Sequence, residues 1–273
     1  MSIANIDAAR ARGTRSAVSA HYQSGETDLM MSDTAFLYYL LPHANLSRSM
    51  LEVHRSVLSP EECEDVDSRV YPRHREEKLV ARALLRRALS DLTGLAPSTW
   101  QLQKNEYGRP EIAAPGDYRD LQFSVSHAGG LIACLLSWHR KVGVDVESAQ
   151  QVDGMLNIAD RYFIDSETAF IRALPGDEQS RGFLELWTLK EAYLKARGLG
   201  LSVPLSEVAF TIRRGTPYQI SAAFGPSLAD EPERWQFALE RLDNHIIAAA
   251  LERRRDSLVK IAMHDAAELM RRP

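Results

Sequence analysis

Residues Leu131–Glu147 read LIACLLSWHRKVGVDVE. Eight almost wholly apolar residues are followed by the polar pair His139-Arg140. A strict alternation then sets Val144 and Val146 on one face, Asp145 and Glu147 on the other. Two strands joined by a polar turn is the reading this pattern gives, and it predicts a hairpin. Upstream, TAFLYYLL (34–41), TWQLQ (99–103) and LQFSVS (121–126) read as further strands. Downstream, VAFTIR, YQISAAF, WQFALERL and HIIAAAL predict an antiparallel meander.

Helical signals lie between these strands. Ser59-Pro60-Glu61-Glu62 is a capping box with proline at the first helical position. From Arg75 to Leu92 apolar residues recur at helical spacing, Gly94 stands where a C-terminal glycine belongs, and the other face carries Arg82, Arg86 and Arg87. Helical patterns resume from about Asp153, and DEQSRGFLELWTLKEAYLKARG ends at Gly198. This order predicts an α+β protein of two pseudo-symmetric lobes, each made of antiparallel strands packed with a helix. The lobes are expected at 34–140 and 141–255, with 1–33 a flexible N-terminal extension and 256–273 a charged C-terminal tail. No sequence repeat relates the halves, so the similarity of plan rests on element order.

With 273 residues, 45% of them hydrophobic, the chain has ample material for packed cores. No apolar run approaches the length of a membrane span and no secretory h-region opens the chain, so no membrane association and a cytoplasmic location are expected. Cys63 and Cys134 have no CxxC or His spacing, which points away from a disulfide framework or zinc site. A net charge of −4 argues against a general nucleic-acid binder, although the basic run from Arg69 to Arg87 suits a local anionic partner.

Four stretches can carry chemistry. Asp145 and Glu147 are paired carboxylates of the kind that hold a hard, oxygen-loving cation such as Mg²⁺. Phe123-Ser124-Val125-Ser126-His127 ends a strand beside Ala128-Gly129-Gly130, a place that can receive a phosphate. A Ser–His nucleophilic dyad there is disfavoured, because neighbours on a strand face opposite ways and no GxSxG elbow is present. Tyr107-Gly108-Arg109-Pro110 is turn chemistry, in which Arg109, with Lys104 before it, can offer positive charge to an anion. Trp187, Glu191 and Lys195 form one row on a helix, which is either a reactive edge or a solvated stripe.

Taken in order, YGRP, FSVSH, GVDVE and WTLKEAYLK resemble the motifs of the 4′-phosphopantetheinyl transferases of the two-lobed type named after the surfactin synthetase activator. The likeness covers roughly residues 34 to 250. It implies transfer of the phosphopantetheine arm of coenzyme A to a serine of an apo acyl, polyketide or peptidyl carrier protein, releasing 3′,5′-adenosine bisphosphate, with Mg²⁺ required and a monomer expected. By the same resemblance Asp145, Glu147 and Glu191 match the metal-binding acids, with Glu191 also a base for the carrier serine. Lys195 matches a lysine on phosphate, and Ser126 and His127 match contacts to the coenzyme. Arg109 and Pro110 fall on a loop beside adenine and phosphates, where the family more often has lysine for Arg109. Arg73 and Lys104 fall near basic residues that reach the coenzyme, while Trp187 and Lys190 are read as packing and support. Residues Arg82 to Arg87 are candidates for docking an acidic carrier. A metal-dependent phosphodiesterase, a Ser–His hydrolase and an inactive carrier-binding protein are the competing readings.

Overall fold

The computed structural model describes residues 6–7, 33–41, 47–106, 108–150, 152–200, 203–254 and 258–272. After a short strand β1 (Ile6–Asp7) comes β2 (Thr34–Leu40), then helices α1 (Arg48–Arg55), α2 (Pro60–Asp67) and α3 (Pro72–Thr93). A hairpin of β3 (Gln101–Lys104) and β4 (Pro110–Ala114) follows, then a second of β5 (Leu121–Ala128) and β6 (Leu131–Trp138). The same succession then repeats: β7 (Val142–Ser148), helices α4 (Met155–Tyr162), α5 (Asp165–Ala173) and α6 (Gly176–Arg197). Hairpins of β8 (Val208–Arg213) with β9 (Gln219–Phe224), and of β10 (Trp235–Leu242) with β11 (His245–Glu252), complete it. Sheet order repeats as well, β5–β6–β2 in one lobe and β10–β11–β7 in the other. The protein is α+β with two pseudo-symmetric lobes.

Local chemistry explains the helix ends. The Ser59 hydroxyl accepts from the Glu62 N–H and the Glu62 carboxylate accepts from the Ser59 N–H, with Pro60 at the first position of α2. Helices α3 and α6 are both 22 residues long, and each stops at a glycine in the left-handed region, Gly94 and Gly198. Leu84, Leu85 and Leu89 of α3 pack with Phe123, Ile132 and Leu136 in the first lobe. Leu186, Leu189 and Tyr193 of α6 pack with Ile246 and Ala248 in the second. A third apolar cluster lies between the sheets, where Val142, Val144 and Val146 meet Leu131, Leu135 and Ile247.

Several expectations are corrected. Strands β6 and β7 do not form a hairpin, since β6 has β2 and β5 at its two edges and β7 pairs with β11. The His139-Arg140 turn instead carries the chain between lobes, with Arg140 buried on the Glu252 carbonyl. The expected meander is divided, because among the described residues β8 and β9 pair only with each other. The charged tail contains a strand and a helix. Strand β12 (Lys260–Asp265) runs parallel to β2 inside the first sheet, and α7 (Ala267–Arg271) buries Leu269 and Met270 in the first-lobe core. Within the expected flexible extension, Ile6–Asp7 pair with β12, whereas the remainder up to residue 32 lies outside the described residues. Arg86 and Arg87 are buried, so they are no docking face; Arg86 holds Glu62 and the Pro97 carbonyl.

Candidate active site

The lobes meet along β5 and β7, and hydroxyl groups make the join. Ser124 Oγ accepts from the Val144 N–H at 3.1 Å and Ser126 Oγ accepts from the Val146 N–H at 3.3 Å. On the other face of β7, Gly143 admits α6. A Cβ placed there would lie 1.9 Å from the Ala192 carbonyl oxygen and 2.5 Å from the Ala196 nitrogen. Glycine in mid-strand marks such a close backbone approach, and that signal was available in the sequence.

This approach brings Asp145 to α6. Lys195 Nζ donates to Asp145 Oδ1 at 2.6 Å and to Ser126 Oγ at 2.9 Å, while Ser126 Oγ donates to Asp145 Oδ1 at 2.9 Å. Asp145 is buried, and its Oδ2 has no hydrogen-bond partner among the described residues. Burial, with the Asp145 and Glu191 charges adding to it and Lys195 opposing, pushes the Glu147 carboxyl up to about 7. Burial also raises Glu191, reinforced by Asp145 and opposed by Lys195. Three carboxyl groups thus share one ammonium. Among the described residues no three His, Cys, Asp or Glu side chains are already gathered into a metal cage. The donor set nevertheless fits Mg²⁺, which takes carboxylate oxygens, and the partnerless Asp145 oxygen and upward-shifted neighbours call for further positive charge.

Beside this cluster lies a cleft of about 710 Å³ between the lobes, into which Lys195, His127, Arg109 and Pro110 face. His74, Lys78 and Arg82 line it from α3. Their spacing of four places them on one helical face, a row that sequence reading passed over in favour of Arg73. Arg73 does not line the cleft; it is exposed and pairs with Glu77 at 3.0 Å. Lys104 lines a neighbouring cleft with Asp65 and Arg82. Ser126 serves Asp145 and Lys195 below the cleft floor, while His127 Nδ1 faces Glu77 Oε2 at 4.0 Å and burial lowers its pKa. The two therefore form no nucleophilic dyad. Gly129-Gly130, the glycines beside the strand end read as able to receive a phosphate, form the tight turn of the β5–β6 hairpin, and a Cβ on Gly129 would lie 2.7 Å from Ser148 Cβ and 3.1 Å from His245 Nε2.

The row on α6 is not a solvated stripe. Trp187 packs with Phe163 and Phe183, and Glu191 and Lys195 are half-buried at the join. Lys190 is buried on Glu167 at 2.7 Å and on the Leu205 carbonyl, which suits the supporting role read for it. Arg109 offers no free fork to an anion: its guanidinium donates to the carbonyls of Lys195, Ala196, Phe123 and Val142.

Comparison with known proteins accounts for both halves of the chain. Residues 141–250 match the model of the 4′-phosphopantetheinyl transferase superfamily, and residues 45–137 match that of the 4′-phosphopantetheinyl transferase N-terminal region. The 4′-phosphopantetheinyl transferase Sfp of Bacillus subtilis is 30% identical over 185 residues, 68% of this chain and 79% of that protein. The 4′-phosphopantetheinyl transferase HetI of Nostoc sp. is 28% identical over 182 residues, 67% of this chain and 76% of its own. An L-aminoadipate-semialdehyde dehydrogenase-phosphopantetheinyl transferase of Xenopus laevis is 27% identical over 208 residues, 71% of this chain and 68% of its own. The chain is a transferase and belongs to the 4′-phosphopantetheinyl transferase family.

Proposed function

We propose that the protein transfers the phosphopantetheine arm of coenzyme A to a serine of an apo acyl, polyketide or peptidyl carrier protein, releasing 3′,5′-adenosine bisphosphate in a Mg²⁺-dependent reaction. The observation that carries this reading is the Lys195–Asp145 pair, flanked by two carboxyls with raised pKa, at the edge of a cationic cleft. The cations Lys78 and Arg82, with the His74 imidazole beside them, suit the phosphates of the coenzyme, and the apolar Pro110, Phe123 and Leu194 suit its rings and chain. Asp145, Glu147 and Glu191 are the residues to hold Mg²⁺, which when bound would neutralise charge developing on the pyrophosphate.

The serine oxygen attacks the β-phosphorus, the bond from that phosphorus to the bridging oxygen breaks, and the electron pair leaves with 3′,5′-adenosine bisphosphate. Glu191 takes the serine proton; burial raises its pKa, with the Asp145 charge adding to it, and so strengthens it as a base. Lys195 spends two donors on Ser126 and Asp145 and has a third for a phosphate oxygen.

The test is to incubate the protein with coenzyme A and a panel of apo-carriers, with and without Mg²⁺, and to read carrier mass. A phosphopantetheine gain that requires Mg²⁺ is expected. Cleavage of coenzyme A with no carrier modified would overturn the proposal in favour of a phosphodiesterase.

A further inference from the structure

The geometry points to Arg109 as a positioning residue that clamps the last turn of α6 to β5 and β7 and so fixes Lys195. Its Nη1 donates to the carbonyls of Lys195 at 2.8 Å and Ala196 at 2.6 Å, and its Nη2 to those of Phe123 at 3.3 Å and Val142 at 3.2 Å. One side chain from the first lobe thus joins three elements at the line where the lobes meet. The final carbonyls of a helix have no partner within it, and a cation there also answers the negative end of the helix dipole. The Lys195 carbonyl is among those held, so the residue whose ammonium reaches Asp145 is fixed at its backbone by the same contact.

The clamp is itself anchored. Arg109 N–H donates to Asn105 Oδ1 at 2.9 Å, and the Arg109 carbonyl accepts from the Asn105 N–H at 2.9 Å. On the far side, a Cβ at Gly198 would lie 3.2 Å from Arg109 Cδ, so the capping glycine also gives the arginine stem its passage. Lysine cannot reproduce this arrangement, because its three donors radiate from one nitrogen whereas the guanidinium spreads its donors along a planar fork. An arginine that merely offered charge to a phosphate would be replaceable by lysine.

The inference rests on the transfer reaction proposed above for its rate effects, and on geometry alone for its stability effect. The experiment compares the parent, Arg109→Lys, Lys195→Ala and the double variant. Melting temperature, coenzyme A binding by calorimetry, and kcat and KM with an apo acyl carrier protein are measured for each. Arg109→Lys is expected to melt lower and to lose about 10- to 100-fold in kcat, the scale of a small misplacement, with KM for coenzyme A unchanged. In the Lys195→Ala background it should cost no further kcat while still lowering the melting temperature, because residues that act through one another are not additive. Equal losses of kcat in both backgrounds would overturn the positioning role. So would an Arg109→Lys variant that matches the parent while Arg109→Ala raises KM, the pattern of an anion contact. Should Arg109→Lys fail to fold, Asn105→Ala loosens the same anchor with the fork intact; a fall in kcat at constant KM supports the clamp and an unchanged kcat overturns it. A parent that binds no coenzyme A counts against the transfer reaction, and the melting difference between parent and Arg109→Lys then decides the clamp, equal melting overturning it.

Discussion

The ammonium of Lys195 lies 2.6 Å from Asp145 Oδ1, and the second oxygen of that carboxylate is buried with no hydrogen-bond partner among the described residues. One cation is therefore shared among Asp145, Glu147 and Glu191 at a seam between two lobes. The seam exists because Ser124 and Ser126 replace backbone pairing between β5 and β7, and because Gly143 lets α6 descend onto the strand. The charge pattern of the site follows from this packing.

Removing Lys195 changes that pattern in a defined direction. Lys195→Ala is expected to bind Mg²⁺ about three- to tenfold more tightly, because a like charge beside the acids is gone. Phosphopantetheine transfer is expected to fall about 10²-fold, the scale for losing one donor to developing charge. Calorimetric titration of Mg²⁺ reads the first effect and initial rates the second. Weaker Mg²⁺ binding by the variant would separate Lys195 from the acids.

The acids also govern stability against pH. The Glu147 pKa of about 7 in the fold lies above its ordinary 4.5, so protonation favours the folded state. The contribution is fully present below about 4.5 and is lost as pH rises through about 7. In chelator, the melting temperature is expected to fall across this window, and Glu147→Gln should flatten the profile. An unaltered profile for Glu147→Gln would assign the dependence to other groups.

Gly143→Ala is expected to be the most destabilising small substitution at the seam. Its added methyl would meet the Ala192 carbonyl and Ala196 nitrogen, both backbone atoms of α6. Overpacking of this kind costs about 1–3 kcal/mol or more, and it pushes Lys195 and Glu191 away from Asp145. Urea denaturation and turnover should both register it. A variant as stable and as active as the parent would show that helix and strand are not in contact here.

Arg86 belongs to stability. Arg86 Nε lies 2.6 Å from Glu62 Oε2 in a buried pair, so Arg86→Ala strands a carboxylate that also caps α2. Breaking such a pair typically costs about 3–5 kcal/mol. Denaturant midpoints should fall accordingly, while carrier association at low salt is unaffected in whatever fraction remains folded. A variant of parental stability but slower carrier association would restore Arg86 to a docking surface.

What the sequence disclosed was what neighbours in the chain decide. The Ser59 capping box, the glycine stops at Gly94 and Gly198, and the alternation of Val144 and Val146 with Asp145 and Glu147 are all local rules of cap, turn and pleat. Pairing over distance was hidden. Nothing near residue 140 distinguishes a hairpin from a crossing between sheets, and the short apolar stretch of β12 is masked by flanking charges until β2 supplies its partner. Arg86 occupies a polar position in the helical pattern, yet α2 and the Pro97 carbonyl enclose it. Arg109 acts on carbonyls that no local pattern links to it. Four short motifs in order pointed to Ser126, Asp145 and Lys195, which the fold brings into contact, and the cleft-lining row of His74, Lys78 and Arg82 could have been read from its spacing.

Glu191 provides the most direct test of the whole account. Glu191→Gln keeps size and helix propensity, so its melting temperature should stay near that of the parent, while it removes the charge proposed to hold Mg²⁺ and the proposed acceptor for the serine proton. Parent and variant are incubated in parallel with coenzyme A, an apo-carrier modified by the parent, and graded Mg²⁺, and carrier mass is followed with time. The account predicts a rate about 10²–10⁴-fold lower for the variant that saturating Mg²⁺ does not restore. A Glu191→Gln protein that adds phosphopantetheine within a few-fold of the parent rate at ordinary Mg²⁺ would contradict it.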